Sequence, residues 1–218
     1  MNSLPSFFRA LTTNDRRLVG RLSSPGRIQT FLDNVRYSAE ETYRSPLQVL
    51  HEETAHCYDG AVFAAAALRL IGYPPLIVNM FPNTRDDEHL VAVFRRHAAW
   101  GAVGKSNFVG LRFREPVYRT LRELMMSYFE QYYNIAREKT MRSYTRPLHL
   151  SSFDQYFWMT DPAAMDLIAE RLSCMRQYPV LSRTMVRGLE PVDVRSYNAG
   201  LQGSIEEGLF PVRRSGTI

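Results

Sequence analysis

Apolar positions along the chain follow two periods, one helical and one of strands. Ile28, Phe31, Leu32 and Val35 recur at i, i+3, i+4 and i+7, which predicts a helix from Ile28 to Glu41. Residues 1–23 also read as helical, with Phe7, Phe8, Leu11 and Leu18 as apolar points, and Ser23-Ser24-Pro25-Gly26 breaks the pattern. Pro46 to Glu53 is a further helical stretch. From Thr54 to Gly72 nearly every position is small or apolar. A helix apolar on nearly every side is buried rather than laid on a surface. Thr54 suits its N-cap, Asp59 the positive end of its dipole and Gly72 its C′ position.

After Tyr73-Pro74-Pro75 the pattern turns to strands. Leu76 to Phe81 is apolar and rich in branched residues; Pro82 to Glu88 is a polar loop. His89 to Phe94 and Ala99 to Lys105 are two strands joined at Arg96-His97-Ala98. Pro116 to Lys139 reads as one long helix striped by Leu121, Leu124, Met125, Tyr128 and Phe129, its aromatics serving as core. Asp161-Pro162 opens another helix that runs to Gln177. From Gly188 onward the chain reads as loop, with the last eight residues a loose tail.

Composition narrows the class. Hydrophobic residues make up 45%, charged residues 22% and aromatics 12% of the 218 residues, the balance of a single soluble globular domain. Lysine occurs only at positions 105 and 139, so the net charge of +5 rests on arginine. The arginines are scattered, which argues against nucleic acid as a partner. No apolar run approaches the roughly 18 residues of a membrane helix, so no membrane is expected and a cytoplasmic location is the default. The first 30 residues hold five arginines and one acid, Asp15; a surface helix and loop explains this better than a transit peptide.

Chemistry concentrates around one of the two cysteines. Cys57 falls in the first turn of the buried helix, where unsatisfied N–H groups favour a thiolate and suit an oxyanion hole. A base should come from a rigid element, and His89 opens a strand 32 positions later, with Asp86, Asp87 and Glu88 placed to favour its charged form. The orienting group follows from the hairpin. If Arg96 pairs with Ala99, paired numbers total 195 and His89 faces Ser106. If Arg96 pairs with Trp100, the total is 196 and His89 faces Asn107. Asn107 accepts an imidazole N–H more readily, so it is preferred, with Ser106 second.

Cys57-Tyr-Asp-Gly-Ala, followed by Arg69, Gly72 and Pro74-Pro75, resembles the cysteine helix of the transglutaminase-like superfamily. Asp87-Glu88-His89-Leu90-Val91-Ala92-Val93 resembles the family's histidine strand, and Trp100-Gly101-Ala102-Val103 the strand after it. The resemblance spans residues 50–110. It implies an α+β, papain-like core, in which a Cys-bearing buried helix packs on a small antiparallel sheet, with flanking helices at both ends. It also implies acyl transfer or amide hydrolysis by a Cys-His-Asp triad. Here Ser106-Asn107 stands where the Asp is expected, and Leu90 replaces the aromatic that often follows the histidine. On this reading residues 46–115 form the catalytic core and residues 116–218 a mainly helical extension. The substrate is a peptide, a protein or a small amide, hydrolysis is the first reaction expected, and no metal or organic cofactor is needed. A silent scaffold and an acyl-CoA-dependent amine acyltransferase are the alternatives.

Other motifs do not carry chemistry. In His51-Glu52-Glu53-Thr54-Ala55-His56 the histidines are five apart, about 140° around a helix, which rules out a zinc-protease site. Gly104-Lys105-Ser106 lacks the first glycine of a phosphate loop. Cys174 lies among Leu167, Leu172 and Met175 and reads as core; His97 reads as a solvated hairpin tip and His149 has no evident partner. Arg112, Arg114, Arg119 and Arg122 read as a solvated face holding Glu115 and Glu123.

Overall fold

Short capped helices lead into the domain. The computed structural model describes residues 3–40 and 42–211. The stretch read as one helix over residues 1–23 is two, α1 (Ser3–Ala10) and α2 (Thr13–Arg21), because Thr12 and Asp15 form a reciprocal capping box that starts the second. Ser24 caps α3 (Pro25–Asn34), which ends at Asn34 rather than Glu41, since β1 (Arg36–Tyr37) pairs in parallel with β2 (Thr54–Ala55). Between those strands Ser45 caps α4 (Pro46–Glu52). Thr54 is therefore in a strand, and the N-cap of α5 (Cys57–Leu70) is His56.

The sheet is antiparallel and seven-stranded. β3 (Leu76–Pro82), β4 (His89–Arg96), β5 (Ala99–Val103) and β6 (Arg114–Tyr118) follow one another across it. The hairpin pairs Arg96 with Ala99, and His97 and Ala98 take positive φ (51° and 65°), as a tight two-residue turn of matching twist requires. Pairing then continues on the other edge of β3. The helix expected over Pro116 to Lys139 is instead the end of β6, a short α6 (Leu121–Met126) and a single 3₁₀ turn at Phe129–Gln131. Thr120 caps α6, and the Tyr128 and Tyr132 hydroxyls donate to backbone carbonyls, which fixes an irregular path that helical periodicity cannot anticipate. β7 (Met141–Thr145) and β8 (Leu148–His149) then pair with β3. α7 (Ala163–Ser173) precedes β9 (Gln177–Pro179), which pairs with β7. The C-terminal half thus builds part of the central sheet and is not a helical appendage. α8 (Arg183–Arg187) and α9 (Val194–Gly200) follow, where only loop was expected. Most of the expected tail, residues 212–218, lies outside the described residues.

Both faces of the sheet are covered, so β4 is buried from His89 to Phe94. Leu90, Ala92, Phe94, Ile77 and Val103 pack beneath α5, α3 and α7. Val78, Met80, Val91, Val93 and Ala102 pack against Leu124, Met125, Tyr128 and Tyr132. The arginines near α6 are staples: Arg114 donates to Gly110 O and Ser127 and lies 4.1 Å over the Tyr128 ring, Arg122 donates to Val180 O, and Arg112 pairs with Asp33 at 2.9 Å. Cys174 is exposed at the end of α7, not core. His149 caps a 3₁₀ turn by accepting from Ser151 N–H.

A close approach between α5 and the segment after β5 sets the height of α5. A Cβ at Gly60 would lie 2.2 Å from Lys105 Cβ. Lys105 cannot retreat, because its buried ammonium donates to Leu32 O and Val35 O at the end of α3. Gly26 in α3 has nothing within 4 Å of such a Cβ. Gly60→Ala should therefore lower stability by about 1–3 kcal/mol, a fall in Tm of roughly 3–10 °C. Gly26→Ala in the same thermal melt should not lower it, and an unchanged Gly60→Ala melting point would refute the packing constraint.

Candidate active site

The start of α5 is held by a buried carboxylate. Asp59 is fully buried and accepts from Arg44 N–H at 2.8 Å and His56 N–H at 3.3 Å; the Arg44 guanidinium lies 3.7 Å away. His56 completes the cap, its Nδ1 accepting from Tyr58 N–H (3.1 Å) and Asp59 N–H (3.4 Å). The helix N–H groups expected to serve an oxyanion hole are therefore spent on His56. Burial pushes the His56 ring down to about 4, with the Arg44 charge adding to it, so the ring is neutral and able to accept. One N–H of the first turn stays open: among the described residues, nothing accepts from Cys57 N–H.

Cys57, His89, Ser106 and Asn107 all line one cleft of about 1020 Å³. Cys57 is partly exposed, and its Sγ lies 3.6 Å from Glu88 O, to which the thiol donates. Burial, and next the Asp87 carboxylate, push the thiol up to about 12, against hydrogen bonds from the Leu90 and Tyr58 backbone. The resting group is a thiol, not the thiolate the helix terminus was expected to favour.

His89 is 4% exposed, and its Nε2 lies 2.7 Å from Leu111 O. A carbonyl only accepts, so Nε2 carries the proton and Nδ1 carries the lone pair. Burial pushes the ring down to about 4, and the Arg114 charge adds to this. The acids before it do not win, contrary to expectation. Their loop is instead tied down: Asp86 accepts from Thr140, Asp87 O from Tyr132 OH at 2.7 Å, and Glu88 from the Asn79 amide. The His89 ring leans toward Tyr132, with ring centres 6.3 Å apart, and makes no hydrogen bond to Cys57.

The hairpin register totals 195, the version that points to Ser106, but the ladder ends at Ala92–Val103. Ser106 Oγ accepts from Phe108 N–H at 3.0 Å. Asn107 is committed elsewhere: Oδ1 accepts from Ile205 N–H (2.9 Å) and Nδ2 donates to Ile205 O (2.8 Å). Neither side chain orients His89. The Leu111 carbonyl does so, and no side-chain pattern could have revealed it. Tyr37 and Tyr132 also line the cleft, as do residues 207–211. Tyr132 was legible only as core, and the late segment carried no signal. The described residues contain no cluster of His, Cys, Asp or Glu that would hold a metal, and no helix among them is long and apolar enough to cross a membrane.

Neither a protein-family model nor a curated protein matches the chain. Among solved structures, Legionella pneumophila LapG overlays with a TM-score of 0.41 at 10% identity, covering 79% of this chain and 98% of that one. The EGTA-treated form gives 0.39 at 12%, over 77% and 98% of the two chains. The calcium-bound form gives 0.40 at 15%, over 72% and 88%. Likeness at this level of identity concerns the course of the chain and not the chemistry of the cleft.

The His89 assignment has a direct spectroscopic test. Nitrogen-15 NMR of the ring should show the Nε2–H tautomer at neutral pH and no protonation until about pH 4. A ring that titrates near its ordinary value of about 6.5 would overturn the burial, and an Nδ1–H tautomer would overturn the Leu111 bond.

Proposed function

We propose that the cleft is a thiol acyl-transfer site of the transglutaminase-like kind, with hydrolysis of an amide as its reaction. The observation that carries this is the presence, in one cleft, of a cysteine at a helix start and a histidine whose Nδ1 lone pair is left open by the Leu111 bond. In this reading Cys57 Sγ attacks the substrate carbonyl while His89 Nδ1 takes the thiol proton. The carbonyl oxygen becomes an oxyanion beside the open Cys57 N–H. As the C–N bond breaks, His89 gives its proton to the leaving amine. Water then hydrolyses the thioester and returns the thiol. Nothing in the cleft marks an amine acceptor site, which favours water.

The neutral resting pair shapes this mechanism. Thiol deprotonation and attack occur together, because neither a free thiolate nor an imidazolium is present beforehand. A backbone carbonyl orients the imidazolium that forms but offers it no counter-charge, so turnover should be slower than in a site with a carboxylate there. The thiol's bond to Glu88 O must also break first. These two features favour a second reading, in which the cleft binds polypeptide and does not turn it over.

Screening a peptide or amide library for Cys57-dependent cleavage separates the two. Cys57→Ala should abolish cleavage, and His89→Gln should reduce kcat on the order of 10²–10⁴-fold. The kcat/KM profile should fall on the acid side near pH 4, where His89 gains its proton, and stay level up to about pH 9. Cleavage that survives Cys57→Ala would defeat the enzymatic reading.

A further inference from the structure

The cleft already holds a stretch of chain. Residues 207–211 line it together with Cys57 and His89, and the residue that anchors the stretch is Ile205. Ile205 is extended (φ −100°, ψ 138°), and Asn107 exchanges two hydrogen bonds with its N–H and C=O. A side-chain amide bonded this way replaces the neighbouring strand of a β-ladder. It reads backbone and not sequence. Three residues on, Gly208 lies flat on the Tyr37 ring: a Cβ there would sit 2.7 Å from Tyr37 Cε1 and 3.0 Å from Asn107 Nδ2.

What holds this segment is little. Ser204 N–H, Gly208 N–H and Leu209 N–H bond only to carbonyls within residues 201–206. The Asn107 clasp is the only hydrogen bonding, among the described residues, that joins residues 205–211 to the rest of the domain. Glu206 and Glu207 are exposed, and Phe210 is 39% exposed. A stretch that lines a cleft and is tied to the domain by a single two-bond contact can leave it.

We propose that Asn107 and Tyr37 form a polypeptide-docking subsite, which takes a chain extended at the clasped residue and carried by one 3₁₀ turn to a glycine three residues on. The segment Ile205–Pro211 occupies it in cis and competes with substrate. This rests on the proposed thiol site for its consequence in catalysis, but docking itself does not require turnover. It gives Asn107 a role different from orienting His89, and makes the substrate a polypeptide and not a small amide.

The test displaces the segment within the full chain. Gly208→Val drives a side chain into Tyr37, and Ile205→Pro removes the N–H that Asn107 accepts from. A fluorescein-labelled peptide matching residues 203–211 is then titrated in trans, and iodoacetamide labelling of Cys57 is followed by mass spectrometry. Each variant should label at least fivefold faster than wild type and bind the peptide at least fivefold more tightly. Adding Asn107→Ala to either should abolish peptide binding while labelling stays fast. If both variants keep the wild-type melting point, label at the wild-type rate and fail to bind the peptide, the docking subsite does not exist. Peptide binding with no cleavage of any substrate by any variant would uphold the subsite and reject the enzymatic reading alone.

Discussion

Asp59 sits fully buried at the third position of α5, and groups from Arg44 and His56 meet on its two oxygens. Arg44 N–H brings in the loop before α4, His56 N–H fixes the turn into the helix, and the guanidinium of Arg44 reaches on to Ser38, Glu40 and Glu52. Cys57 is the next residue after His56, so its place in the cleft is set by this carboxylate. Burial pushes Asp59 up to about 6 although all its bonds pull the other way. Its folded value lies above its unfolded one, so it favours the fold most below about pH 4 and loses that contribution as the pH rises through 6. Removing one member of such a buried set leaves the others unpaired, at a cost of about 3–5 kcal/mol.

The same burial explains the state of Cys57 and His89. Cys57 and His89 lie where ionisation is opposed, one raised to about 12 and the other lowered to about 4. For His89 the folded value lies below the unfolded one, so its contribution to stability is complete above about pH 6.5 and is lost as the pH falls toward 4. On the proposed reading, a cleft with two neutral partners, one open backbone N–H and a carbonyl in place of an acid suits concerted proton transfer rather than a preformed ion pair.

Much of this was legible in the chain. The run Cys57 to Leu70 declared a buried helix, and the paired apolar runs around His97-Ala98 declared the hairpin and narrowed its register to two, of which the less favoured is found. Period and composition carry that information, because they follow from which faces must be dry. Three of the misreadings share one cause. Where a polar side chain bonds to backbone, local pattern loses authority: His56 displaced Thr54 as the cap, Tyr128 and Tyr132 bent a supposed helix into short turns, and Asn107 went to Ile205. The Leu111 carbonyl could not have been named, since every residue has one.

Trapping the covalent intermediate tests the central claim most directly. An activated ester such as p-nitrophenyl acetate should release about one equivalent of nitrophenolate in a burst and leave a thioester on the tryptic peptide that carries Cys57. The adduct should be absent from Cys57→Ala and should form on the order of 10²-fold more slowly in His89→Gln. An adduct on Cys174 or on a lysine, or a burst indifferent to His89, would contradict the assignment of Cys57 as nucleophile with His89 as its base.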